Sequence, residues 1–413
     1  MADSRSVIDR PLCPLLCFLL LAAAACSRPA TPAARTPEPP KASAARDDAP
    51  AETRGQLALV RPAPPRCSSR GGPKLLVQRA AFELERGEDE RALACADEAL
   101  RLAPRLVAAL RLRGEALADL GRLDEARLAY ARSLAVEPDD AETLRGAAEL
   151  YVMQLPGERA TLELGLEYAL RGLRRAPARS DLQAALLLLV AAAENDLGES
   201  RLALMYAERA LALRADDLDA AYERGVALYE LCRFEEARDA LERVRAARPD
   251  DAWTLHYLGL VAERAGHGPR AEELERRARS LAPDEFRAGT SIDPASFDAE
   301  VRRALAALPE RERKSVADVP VELADVPALD DLTAVDPPLS PSILGLFRGP
   351  SQGEPCLPEE GLRCRSIVLY RVNLARFARS RADLAEQVRV TLLHEIGHLQ
   401  GETEDELRAR GLE

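Results

Sequence analysis

The chain has 413 residues, with 57 Lys and Arg against 69 Asp and Glu for a formal charge of −12; 47% of it is hydrophobic and only 4% aromatic. That length holds two or three domains, and an acidic balance with few rings excludes a nucleic-acid binder, which needs a basic face for phosphates or stacking rings for single strands. Ala, Leu, Arg and Glu abound, residues that lose little freedom in a helix and fill a pleated surface poorly, so the fold class is mostly α.

Residues Pro11 to Ala25 form an apolar run of 15, short of the roughly 20 that a membrane-spanning helix needs. Closed by Ala23-Ala24-Ala25 just before Cys26, it reads as a secretory signal with a small-residue cleavage site over 1–26. The stretch resembles a bacterial lipoprotein signal, with Ala23 where Leu is most often seen. That resemblance implies lipidation of Cys26 and anchoring to the membrane of the bacterial envelope, facing the periplasm or exterior; an ordinary cleaved signal is the alternative. From Ser27 to Pro73 there are 10 prolines in 47 residues, so 27–72 reads as an extended, solvated tether. Export makes disulfides permissible. Cys356 and Cys364 flank a turn containing Pro and Gly and are the pair expected to bridge, whereas Cys95 and Cys232 fall at helical positions that suit small buried residues.

From 73 to 287 the chain repeats. Pro104 and Pro138 are 34 residues apart, as are Pro249 and Pro283, and two small insertions between them keep the count at six units. Ala92, Ala126, Ala203, Ala237 and Ala271 form one row of small residues and Gly114, Gly225 and Gly259 another, where two helices of a hairpin approach closely. Phrases such as Leu110-Arg-Leu-Arg-Gly114 followed by Asp124-Glu-Ala126, Tyr130 and Pro138 resemble the tetratricopeptide repeat family. The resemblance implies an α-helical solenoid whose concave groove takes up a peptide or protein partner, or else a spacer. Leu155-Pro-Gly-Glu-Arg lengthens the inner turn of the third unit. Leu187, Leu228 and Leu255 read as core.

Past Pro283 the period vanishes, and 288–413 reads as a compact α+β unit. Glu300 to Leu308 is an amphipathic helix, Pro320 to Ala324 a short strand, and Ser342 to Arg348 and Ser366 to Val372 are β-branched or aromatic runs that read as strands. Arg381 to Gln400 is helical, with Leu384, Val388, Leu392 and Leu399 near one face.

That helix contains His394-Glu395-Ile396-Gly397-His398. Side chains four apart lie one above the other, so two imidazoles can reach one ion, while Glu395 in the same turn is the candidate general base. A catalytic zinc needs a third protein ligand and an open position. Gly401 lets the chain double back, and Glu404 arrives six residues after His398, which makes His394, His398 and Glu404 the preferred metal ligands; Glu402 and Asp405 are the fallback. Thr403 with Glu406 is also a capping box, compatible with ligation by Glu404. Tyr370 and Arg371 are weak candidates for stabilising an oxyanion, and His256 and His267 stand isolated in the repeats.

Phe297 to Pro309, Val319-Pro-Val-Glu-Leu, Leu344-Gly-Leu-Phe-Arg-Gly349, Ile367-Val-Leu-Tyr370 and the motif from His394 to Glu404 together resemble the minimal zincins, small bacterial zinc metallopeptidases. Family members usually carry Asp where Glu404 stands. The resemblance implies one zinc ion, peptide hydrolysis, and a sheet-edge strand over Leu344, Gly345, Leu346 and Phe347 on which an extended substrate pairs. The expectation is an envelope zinc metallopeptidase whose repeats recruit a protein partner or substrate. A scaffold lipoprotein with a structural or inactive metal site is the alternative.

Overall fold

The computed structural model describes residues 67, 71–155, 157–355 and 364–412. The signal segment with Cys26, the tether up to residue 66, and Cys356 lie outside the described residues. No helix among the described residues is long and apolar enough to cross a membrane.

Six helix pairs come first: α1 (Gly72–Glu85) with α2 (Asp89–Leu102), α3 (Val107–Asp119) with α4 (Leu123–Val136), α5 (Ala141–Glu149) with α6 (Arg159–Arg175), α7 (Asp181–Asp196) with α8 (Ser200–Leu213), α9 (Leu218–Glu230) with α10 (Phe234–Ala247), and α11 (Ala252–Arg264) with α12 (Gly268–Leu281). The close approach within a pair needs the missing side chain of glycine: a Cβ on Gly114 would sit 2.7 Å from the Tyr130 ring. Asp140, Ser180, Asp217 and Asp251 start first helices by accepting from backbone N–H groups of the opening turn. In the third pair the helix widens into a π turn over Leu150–Gln154, the local cost of the longer connection that follows. The first helix of each pair touches the first helix of the next, so α1, α3, α5, α7, α9 and α11 form the inner layer of the stack. Leu187, Leu228 and Leu255 are buried in it.

Two cysteine expectations change. Cys95 is not a lone buried thiol but is bonded to Cys67, 28 residues earlier, which ties the segment ahead of α1 onto α2. Sequence spacing gave no hint of it because the two residues meet only once the first hairpin has folded. Cys232 is not helical: it sits in the turn between α9 and α10 with φ 59°, half-buried and free. Cys364 is disulfide-bonded.

The C-terminal unit runs α13 (Pro294–Ala307), α14 (Glu310–Ser315), β1 (Val321–Ala324), α15 (Leu329–Leu332), β2 (Gly345–Arg348), β3 (Ser366–Tyr370), α16 (Arg371–Phe377), α17 (Arg381–Gln400) and α18 (Glu404–Ala409). The sheet order is β1-β3-β2, with β1 parallel to β3 (Val321 opposite Ile367) and β2 antiparallel to it (Gly345 opposite Leu369), so β2 is an edge. Ile367, Leu369, Leu384, Val388, Leu392 and Ile396 join the buried core between the sheet and α17. Boundaries move by one residue at Leu308 and Pro320, and by more at three places. The first helix begins at Pro294 because Asp293 accepts from the Ser296 N–H. Strand β2 begins only at Gly345 because the Asn373 side chain takes the carbonyls of Pro341 and Ile343. Strand β3 ends at Tyr370, where α16 starts.

This unit is seated on the last two repeats. Arg376 of α16 pairs with Glu263 of α11 at 2.6 Å, and Arg264 donates to the Pro327 carbonyl at 2.6 Å. Phe286, on the connection between the two parts, packs edge-on against Trp253 and lies over His256. His256 is thereby buried, 2.9 Å from Glu275. His267 caps α12 through its backbone.

Candidate metal centre

Helix α17 is fixed at both ends. The Ser380 hydroxyl accepts from the Asp383 N–H at its start. At its end Gly401 adopts φ 85°, a left-handed conformation that glycine accepts without strain, and the Glu402 N–H returns to the Gly397 carbonyl at 2.9 Å. The chain then doubles back into α18, whose start carries the full Thr403–Glu406 capping box. Gly397 makes this return possible, because a Cβ there would lie 2.2 Å from Leu407 Cδ2. Glu404, the first residue of α18, is thereby brought over the histidines of α17.

His394 Nε2 and His398 Nε2 are 3.0 Å apart, and the Glu404 carboxylate stands 3.2 Å from His398 Nε2 and 3.9 Å from His394 Nε2. The other ring nitrogens decide the protonation. His394 Nδ1 faces the Leu412 carbonyl at 2.5 Å and His398 Nδ1 the Glu402 carbonyl at 3.3 Å. A carbonyl only accepts, so each Nδ1 carries the proton and each Nε2 presents a lone pair. Two lone pairs and a carboxylate then converge on one point with no donor between them, an arrangement that a cation relieves. Ligands of a tetrahedral ion with bonds of about 2.0–2.1 Å stand about 3.3 Å apart, which the observed separations bracket. Burial and the neighbouring His394 also hold His398 below its ordinary value, favouring the neutral, ligating form. Among the described residues the convergent group stops at these three. The fallback ligands are otherwise engaged: Glu402 pairs with Arg410, and Asp405 with Arg408.

Glu395 projects from the same turn of α17 towards β2, 6% exposed. Its Oε2 accepts from the Phe347 N–H of β2 at 2.7 Å, so the edge strand aims the carboxylate. Burial pushes its pKa up to about 8, against the lowering effect of the Phe347 N–H and with a smaller push from Glu404. Gly345 gives it room, since a Cβ there would be 2.7 Å from Thr391 Cγ2 and 3.0 Å from Glu395 Oε1.

Beside these groups opens a cleft of about 660 Å³, with His394, His398, Glu404 and Glu395 at one side and apolar walls from Leu339, Ile343, Leu344, Leu346, Phe347 and Val390. Leu344, Gly345, Leu346 and Phe347 all line it, whereas Tyr370, the last residue of β3, is buried and Arg371 pairs with Asp325 at 2.7 Å. Neither of the latter two reaches the cleft. Sequence reasoning missed the Leu412 carbonyl, which orients His394, because a backbone acceptor leaves no mark in a side-chain pattern. It also missed Leu339 and Ile343, which lie outside any motif.

Residues 316–412 match the family model described as zincin-like metallopeptidase. The C-terminal domain is zincin-like. The repeats ahead of this zincin-like domain are similar to several solved tetratricopeptide-type structures. PilW, a type IV pilus biogenesis factor, is 19% identical with 51% of this chain and 94% of that one covered (TM-score 0.44). PilF of Pseudomonas aeruginosa is 18% identical over 55% and 97% (TM-score 0.44). YrrB, a TPR protein with an unusual peptide-binding site, is 20% identical over 46% and 93% (TM-score 0.36). No curated protein matches the chain. The chain is thus a repeat array followed by a zincin-like domain in which His394, His398 and Glu404 are placed to hold a metal ion.

Proposed function

We propose that the chain is a zinc-dependent peptidase of the bacterial envelope, lipid-anchored through Cys26, whose repeats recruit a protein partner or substrate and whose zincin-like domain hydrolyses peptide bonds. The observation that carries the reading is the convergence of His394, His398 and Glu404 at 3.0–3.9 Å beside a buried carboxylate, Glu395, on the rim of an apolar cleft. Three ligands leave one position of a tetrahedral zinc open, which favours catalysis over the scaffold reading, since a structural site closes the fourth position with protein.

A zinc ion held there supplies a Lewis acid that polarises the scissile carbonyl and acidifies water. The residues of the chain do the rest. Glu395, aimed by the Phe347 N–H, takes a proton from the attacking water as its oxygen bonds to the carbonyl carbon. The C–N bond then breaks, and Glu395 returns the proton to the departing nitrogen. A carboxyl held high by burial suits both transfers, because it gains and loses a proton near neutral pH. The edge of β2, apart from the Phe347 N–H that Glu395 takes, offers backbone groups to an extended substrate. Export and anchoring rest on the sequence around Cys26; incorporation of labelled fatty acid that is lost in Cys26→Ala tests them.

The test of the chemistry is Glu395→Gln in the full chain. Zinc content by elemental analysis should stay at one per chain while cleavage of unfolded casein disappears. Equal cleavage by mutant and parent would assign the activity elsewhere.

A further inference from the structure

The cleft is lined by the zincin-like domain, but one of its walls is not held by that domain alone. Leu339 and Ile343 line it, and the segment 339–343 that carries them is gripped along two routes by the fifth and sixth repeats. In the first, Cys232 donates its S–H to the Leu339 carbonyl at 3.7 Å, and the Ser340 hydroxyl bonds to the Glu230 carboxylate. In the second, Glu263 accepts from Arg376 at 2.6 Å and Arg376 donates to Asn373 Oδ1 at 3.4 Å. The Asn373 amide then donates to the carbonyls of Pro341 and Ile343 at 3.0 and 2.8 Å. Asn373 is 4% exposed, so these bonds have no water to replace them.

The repeats themselves indicate that these contacts are more than incidental packing. Gly87, Gly121, Gly198 and Gly266 hold the left-handed turn position in other hairpins, yet in the fifth hairpin that position, φ 59°, is taken by Cys232. A side chain there is strained and the turn does not need it; its contact is with the loop of the cleft. Glu230 buries its Oε1 without a partner on the repeats, a costly arrangement for a carboxylate, and its hydrogen bond goes to the same loop. Burial pushes the Cys232 thiol up to about 11, so the donor keeps its proton at neutral pH.

We infer that the fifth and sixth repeats shape the substrate cleft from outside it: Glu230, Cys232 and Glu263 are positioning residues that fix segment 339–343. Leu339 and Ile343, with Leu344 and Val390, then form an apolar subsite for a peptide bearing a large apolar side chain beside the scissile bond. This deepens the peptidase reading and rests on it, so the test includes a readout that needs no cleavage.

The full chain is compared with Ser340→Ala, Glu230→Ala and Glu230→Gln by amide hydrogen exchange across 339–346. KM and kcat are measured on two fluorogenic peptides that differ only in a central Leu or Ala. Ser340→Ala and Glu230→Ala should raise exchange in that segment about tenfold, and raise KM for the Leu peptide about fivefold with kcat within about twofold. Glu230→Gln, which keeps an acceptor for Ser340, should restore both. Leu339→Ala should erase the preference for the Leu peptide. If Glu230→Ala does not fold, Ser340→Ala breaks the same bond from the loop side. Unchanged exchange and KM in Ser340→Ala overturn the inference. If the parent cleaves neither peptide, the peptidase reading falls separately, and exchange alone decides whether the repeats hold the loop: raised exchange upholds the positioning role and parental exchange overturns it.

Discussion

Glu395 and Glu404 are both carboxylates within one turn and return of chain, yet their surroundings assign them different work. Glu404 is 66% exposed at its side chain and points at two imidazole lone pairs, whereas Glu395 is buried and takes a backbone N–H. Replacing Glu404 by Ala should therefore cost metal affinity first, by about 10–100-fold or more in a zinc titration, with the fold intact because Thr403 still caps α18. The pH profile of the parent follows from Glu395. Its pKa is raised, so it becomes a base only as pH climbs. The acid limb of kcat/KM should lie above the ordinary carboxylate range and below about 8, the value burial gives without a cation nearby. A limb centred near 4.5 would mean that the carboxylate is not buried as described. At this scale the sequence was informative where chemistry is carried by side chains at fixed spacing, as from His394 to Glu404. It was silent on the Leu412 carbonyl and on the Cys67–Cys95 bond, both made by chain segments that meet only in the folded state.

Helix α17 and strand β2 act as one device, since the strand aims the carboxylate and the helix presents the ligands. The contact passes through Gly345, where a Cβ would press on both Thr391 and Glu395. Gly345→Ala should lower stability by about 1–3 kcal/mol and reduce kcat more than KM, while the zinc content stays near one. A kcat that holds while only stability falls would detach the strand from the chemistry. Element types were legible because long periods repeat: the 34-residue spacing marks the hairpins, and Leu384, Val388, Leu392 and Leu399 mark α17. Short strands were read with the wrong ends. Strand β2 is cut short where the Asn373 side chain takes the carbonyls of Pro341 and Ile343, and β3 stops where α16 takes over, neither of which composition carries. The first hairpin adds a further case. Closing a 28-residue separation with Cys67–Cys95 should stabilise it by roughly 3 kcal/mol, so reductant should speed exchange in α1 and α2 and leave α17 unchanged.

For the molecule as a whole, the seating of the zincin-like unit on the last repeats was the least legible feature, because a periodic array and an aperiodic domain give no sign of which faces meet. It leaves Glu230 buried in the inner layer, and this makes stability depend on pH. Glu230 is pushed up to about 7 by burial, partly offset by the Ser340 hydrogen bond, from an unfolded value near 4.5. Between those limits the folded chain holds a proton that the unfolded chain releases, so stability falls as pH rises, by a few kcal/mol. Below the unfolded value the penalty is absent; above about 7 it is complete. Glu230→Gln keeps an acceptor for Ser340 and removes the charge, so urea unfolding should show a gain of roughly 2 kcal/mol at pH 8 and almost none at pH 5. A gain of equal size at both pH values would show that the side chain is not buried as a carboxylate at the seat between repeats and zincin-like unit.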